Sequence, residues 1–107
     1  GSGHYAAAKH GVVGLTKTLA LELAPHGVTA NAVCPTGVET PLIDGIVEGV
    51  GQEALERVSA ASGPMNVVDE GLLDPEDVAE AVLWLASDAA RYVTGVALPI
   101  DAGMTAK

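Results

Sequence analysis

Phenylalanine is missing from this sequence, and one tryptophan and two tyrosines are its only large aromatic residues. Any core must therefore be built from alanine, valine, leucine and isoleucine, small side chains that need close backbone approach. Cysteine occurs once, at Cys34. A lone thiol cannot form a disulfide within the chain and fits a reducing, cytoplasmic setting. Positive charge is scarce as well: Lys9, Lys17, Arg57, Arg91 and Lys107 lie scattered against 14 acidic residues, for a formal charge of -9. No cationic stripe is available to follow a phosphate backbone, so no nucleic-acid partner is expected. Runs of about 18 apolar residues, the length that spans a bilayer, are absent, as is a basic leader ahead of an apolar segment. No membrane partner is expected either.

What is present is aliphatic. Hydrophobic residues fill 49% of 107 positions, more than a domain of this size readily hides, so the composition predicts a large partner surface. From about His4 to Ala24 the pattern is helical, with Val12, Val13, Leu15, Leu19, Leu21 and Leu23 on more than one face. A helix apolar nearly all round is normally buried between layers or subunits, which makes this one the candidate contact of a homo-oligomer. Pro25-His26-Gly27 stops it. Val28 to Cys34, rich in β-branched residues and closed by Pro35, reads as a buried strand. Residues 42–73 are acidic and punctuated by glycines, with a helix expected near 46–61, and read as a substrate lid. Asp74-Pro75-Glu76-Asp77 signals a helix start, and Val78, Val82, Leu85 and Ala86 form its apolar stripe beside Trp84. Gly95 to Ile100 is the second strand, where Pro99 suits an edge or an end. Helices alternating with short apolar strands predict an α/β fold with a parallel sheet. Two strands are too few for a stable sheet, so further strands are expected from elsewhere.

One pair of side chains suggests chemistry. In Tyr5-Ala6-Ala7-Ala8-Lys9 the tyrosine and lysine are one helical turn apart and project from the same face. A phenol, with an ordinary pKa of about 10, is a poor proton shuttle near neutrality, and an adjacent ammonium favours its ionised form. Alone, this spacing arises by chance on many helices, the lysine stem packing along the ring. Two further segments follow it in order: Val28-Thr29-Ala30-Asn31-Ala32-Val33-Cys34-Pro35-Thr36-Gly37 continuing into Val38-Glu39-Thr40-Pro41, and Val93-Thr94-Gly95 leading to Ile100-Asp101-Ala102-Gly103.

Together the three motifs resemble the C-terminal half of the short-chain dehydrogenase/reductase family, over essentially the whole chain. The run Lys9-His10-Gly11-Val12-Val13-Gly14-Leu15 with Pro35-Thr36-Gly37-Val38 is most similar to its carveol-dehydrogenase-like, mycofactocin-associated subgroup. The resemblance implies the C-terminal part of a doubly wound, Rossmann-like domain, with two strands and about four helices in residues 1–107. It also implies hydride transfer between NAD or NADP and a small hydrophobic alcohol or ketone. Tyr5 would be the general acid or base, and Lys9 would bind the nicotinamide ribose and favour the phenolate. Tyr5, Lys9, Pro35, Gly37, Val38 and Thr40 would contact the cofactor, the Val38 backbone at the carboxamide and the Thr40 hydroxyl at the pyrophosphate. His4, Thr36 and Leu42 would line the substrate pocket.

Departures from the family pattern are Thr36 between Pro35 and Gly37, and Ala102 where glycine is usual. A Gly-rich dinucleotide fingerprint and the family's catalytic serine, which stands well upstream of the tyrosine, are not in the sequence. This chain by itself is therefore expected to be inactive. The residue that selects NAD over NADP belongs to that upstream region, so both cofactors stay open. His4, His10 and His26 form no ligand-like grouping, and no metal site is expected. Cys34 reads as a small core residue rather than a nucleophile. A reading of another class is a non-catalytic association module that uses the apolar first helix to pair with another subunit.

Overall fold

In the computed structural model the described residues are 3–38, 48–49, 51–53 and 72–106. They fall into two compact units, residues 3–34 with 80–98 in the first and residues 35–38, 48–49, 51–53, 72–79 and 99–106 in the second. Helix α1 spans Gly3–Leu23, close to the range expected from its alanine and leucine content. The Thr16 and Thr18 hydroxyls donate to the Val12 and Gly14 carbonyls at 2.7 and 3.2 Å, so neither hydroxyl competes with the helix. A 3₁₀ turn, Ala24–His26, follows, and Gly27 closes it at φ 71°, its N–H donating to the Ala24 carbonyl. That left-handed geometry is open to glycine at little cost. Burial on several faces is not observed: among the described residues of α1 only Ala20 is buried, while Val12, Leu15 and Leu21 are exposed. A two-stranded sheet offers too little surface to cover more of the helix.

Strand β1 is Ala32–Pro35 and β2 is Ala97–Ile100, and the two form one sheet. Both start later than the apolar runs suggest, β1 at Ala32 rather than Val28 and β2 at Ala97 rather than Gly95. Side chains explain the difference. The Ala30 N–H donates to Thr94 Oγ1, Asn31 Nδ2 donates to the Val93 carbonyl, and Asn31 Oδ1 accepts from the Val96 N–H, at 2.9–3.1 Å. The approaches to the strands are thus tied by an amide and a hydroxyl where a ladder would otherwise begin. Further on, Ala32 N–H donates to Val96 O and Thr36 N–H to Ile100 O, a constant offset that makes the pair parallel. Because the even-numbered residues of β2 face β1, the missing N–H of Pro99 falls on the other edge and costs the ladder nothing.

Helix α2, Pro75–Leu85, begins as expected: Asp74 Oδ1 accepts the Glu76 N–H at 3.0 Å, and Glu76 and Asp77 stand in the first turn. In the first unit Val82, Leu85 and Ala86 of its stripe line a cavity of about 290 Å³ with Thr29, Asn31 and Val33. The alternation 29, 31, 33 places those three residues on one face of the extended segment. Of the helix expected near 46–61, residues 48–49 and 52–53 are described and helical; the rest of it and most of the 42–73 lid lie outside the described residues. Among the described residues no helix is long and apolar enough to cross a membrane.

Candidate active site

Near the start of α1 the structure brings Tyr5 and Lys9 together. Lys9 Nζ lies 5.2 Å from the centre of the Tyr5 ring, and both residues are exposed. An ammonium at this distance from an exposed aromatic face is attracted by roughly 0.5–1 kcal/mol, which favours keeping Lys9 over the Tyr5 ring. His4 is exposed on the same turn. His10 is engaged on its own helix, its Nδ1 donating to the Ala6 carbonyl at 2.8 Å. Among the described residues no cluster of three or more His, Cys, Asp or Glu side chains is placed to hold a metal ion. Cys34 is half-buried within β1.

The second group belongs to the other unit. Pro35 is the last residue of β1, and Thr36, Gly37 and Val38 follow it past the C-terminal end of a parallel strand. Open α/β sheets bind ligands at such ends. Val38 forms an isolated parallel bridge with Leu73, whose N–H donates to the Gly37 carbonyl at 2.8 Å. In this pattern the bonds come from the peptides flanking Val38, so its own N–H and C=O turn to the opposite side, one donor beside one acceptor. Thr40 and Leu42 lie outside the described residues. Sequence reasoning assigned no role to Leu72 and Leu73, placing them at the end of the lid. The available signal was their position: Leu73 precedes the Asp74 cap and Val78 stands in the first turns of α2, the arrangement of a hydrophobic staple.

The closing turn is also built in the second unit. Asp101, at the end of β2, is buried, and its carboxylate accepts the Thr105 hydroxyl at 2.6 Å and the Gly103 and Thr105 N–H groups at 3.0 and 3.1 Å. The Thr105 hydroxyl, chiefly, holds this carboxyl below its ordinary value of 3.8; burial pulls the other way and is outweighed. Ala102 follows at φ 48°, in the left-handed region.

A family described as enoyl-(acyl carrier protein) reductase matches residues 1–105. The (-)-trans-carveol dehydrogenase of Rhodococcus erythropolis is 46% identical over 112 residues, covering 97% of this chain and 40% of its own. An oxidoreductase of the short-chain dehydrogenase/reductase family from Burkholderia thailandensis has the same fold, with a TM-score of 0.79 at 40% identity over 96% of this chain and 38% of that one. An actinorhodin polyketide ketoreductase solved with NADPH gives a TM-score of 0.77 at 40% identity over 94% of this chain and 39% of that one. The chain belongs to the short-chain dehydrogenase/reductase family, and its α/β parallel sheet is the Rossmann-like sheet of these neighbours. It spans about two fifths of the length of the relatives it matches. These relatives are dehydrogenases and reductases, so they lend no support to a non-catalytic association module.

The residues present suit the nicotinamide cofactor that this family implies. A carboxamide offers an N–H donor and a carbonyl acceptor, the complement of the N–H and C=O that Val38 turns to one side. Ribose hydroxyls are natural partners for an exposed ammonium such as that of Lys9.

Proposed function

We propose that these residues form the catalytic and nicotinamide-holding part of a longer NAD- or NADP-dependent oxidoreductase that interconverts a small hydrophobic secondary alcohol and its ketone. The observation that carries this reading is the exposed Tyr5–Lys9 pair, with Nζ 5.2 Å from the ring centre. The cofactor, when bound, supplies the hydride or accepts it. Tyr5 handles the proton: its phenol O–H is donated to the carbonyl oxygen in reduction, and its phenolate oxygen takes the hydroxyl proton in oxidation. Lys9 binds a ribose hydroxyl through Nζ. Val38 holds the carboxamide through its backbone, Pro35 and Gly37 shape the turn, and the Thr40 hydroxyl reaches the pyrophosphate. His4, Thr36 and Leu42 line the alcohol side of the site.

The likeness to a carveol dehydrogenase supports a terpenoid or similarly hydrophobic secondary alcohol, and a place in the mycofactocin-associated subgroup is proposed on the run Lys9-His10-Gly11-Val12-Val13-Gly14-Leu15 with Pro35-Thr36-Gly37-Val38. The dinucleotide fingerprint that cradles a pyrophosphate is not in the sequence, which reads as the C-terminal half, and these residues by themselves are expected to be inactive. Exposed Val12, Leu15 and Leu21 support homo-oligomer formation through α1, and a single free cysteine supports a cytoplasmic location. The test is a turnover assay on the full-length protein. Secondary alcohols with NAD⁺ or NADP⁺ should raise the near-ultraviolet absorbance of reduced nicotinamide. A flat trace with both dinucleotides across a panel of such alcohols, and with their ketones in reverse, would contradict the reading.

A further inference from the structure

The parallel strand pair is secured at both ends by side chains. At its start the Ala32 N–H donates to the Val96 carbonyl at 2.8 Å, beside the Asn31 amide. At its far end the Thr36 N–H donates to the Ile100 carbonyl at 3.2 Å. A ladder of four-residue strands frays from its ends, so this last bond needs support of its own. Asp101 gives it that support. The Ile100 carbonyl and the Asp101 N–H belong to one rigid peptide plane, so whatever fixes Asp101 also fixes the direction of that carbonyl. Among the described residues Asp101 is the buried polar one, and its carboxylate is tied by the Thr105 hydroxyl at 2.6 Å and by the Gly103 and Thr105 N–H groups. Its own carbonyl adds a further tie, accepting the Met104 N–H at 2.9 Å.

The loop after β1 is held differently along its length. The Gly37 carbonyl and Val38 are held by Leu73, through the 2.8 Å bond and the bridge. Thr36, the residue that separates Pro35 from Gly37, is held by Ile100. We infer that Asp101 is a positioning residue for Thr36: the turn it closes fixes the Ile100 carbonyl, and that carbonyl sets the substrate side of the loop while Leu73 sets the cofactor side. The inference rests on the proposed place of Thr36 on the alcohol side of the site. When the Asp101 turn loosens, Thr36 shifts and Val38 stays on Leu73. Alcohol binding then weakens, and dinucleotide binding does not.

The experiment combines residue-resolved amide hydrogen exchange with steady-state kinetics on the full-length protein carrying Asp101→Asn, which keeps the size of the side chain and gives up one accepting oxygen. Exchange at Thr36 should quicken by about threefold to tenfold, the loss of about one hydrogen bond, while Ala32, bonded at the other end of the same strand, stays within about twofold. With a secondary alcohol that the unmodified protein turns over, KM for the alcohol should rise by about threefold to tenfold, with kcat and the affinity for NAD⁺ and NADP⁺ within about twofold. Thr105→Val should reproduce both changes, and Thr105→Ser, which keeps the hydroxyl, should recover both. Equal quickening at Thr36 and Ala32 would overturn the inference, because the aspartate would then support the fold at large. So would faster exchange at Thr36 with KM unchanged, or a loss of dinucleotide affinity as large as the rise in KM. If Asp101→Asn does not fold, Thr105→Val alters an exposed residue and carries the same readings. Failure of the unmodified protein to turn over any secondary alcohol with either dinucleotide would instead sink the proposed function, and this inference with it.

Discussion

Asn31 does with one amide what a ladder does elsewhere. Its Nδ2 donates to the Val93 carbonyl and its Oδ1 accepts the Val96 N–H, so two backbone groups depend on one side chain. Asn31→Ala leaves both without their partner and should lower unfolding free energy by about 1–3 kcal/mol in urea titrations. A change within about 0.5 kcal/mol, the range of neutral surface substitutions, would show that the clamp contributes nothing. Ala102 is the opposite case, a side chain where the backbone favours none. At φ 48° it carries the left-handed penalty of roughly 1–2 kcal/mol, offset in part by alanine's smaller entropy loss on folding. Ala102→Gly should therefore stabilise by about 0.5–1 kcal/mol, seen as a higher thermal midpoint; a lower one would mean the turn relaxes around alanine. The sequence flagged position 102 because the family resemblance expects glycine there, and the backbone supplies the physical reason.

Among the elements, the two long helices were legible because their signals are local. α1 is announced by a run of alanine and leucine and ended by Pro25 and Gly27, and α2 by the cap at Asp74 and the proline after it. Strand ends were less legible. The partners that displace the start of β1 from Val28 to Ala32 are Val93, Thr94 and Val96, more than 60 residues away. The bridge from Val38 to Leu73 crosses the glycine-punctuated stretch in the same way, and no periodicity within either segment encodes it. The closing turn after β2 yields a pH prediction. The Asp101 carboxyl is held below 3.8 when folded, so its contribution to stability is complete above that pH and is lost as pH falls through the lowered folded value. Asp101→Asn should flatten the acid side of the stability profile below pH 3.8 in denaturant titrations run at a series of pH values. An unchanged acid limb would mean that other carboxylates govern it.

For the molecule as a whole, the chain spans about two fifths of the length of its relatives. Apolar side chains left exposed on α1 and α2, Leu15, Leu21, Val82 and Leu83 among them, match the excess aliphatic content that the composition shows. The Tyr–Lys pair was readable because one helical turn brings i and i+4 together without help from the rest of the fold. The bridge between Val38 and Leu73 was not, because it depends on a tertiary contact. The proposed division of labour has Tyr5 moving the proton while other groups hold the cofactor. Its most direct test is Tyr5→Phe in the full-length protein, with kcat and dinucleotide affinity measured on the same preparation. The expected result is a fall in kcat of at least about 10²-fold with affinity changed by less than about threefold, since only the phenolic oxygen is removed. A phenylalanine variant that turns over at the rate of the unmodified protein would contradict the account.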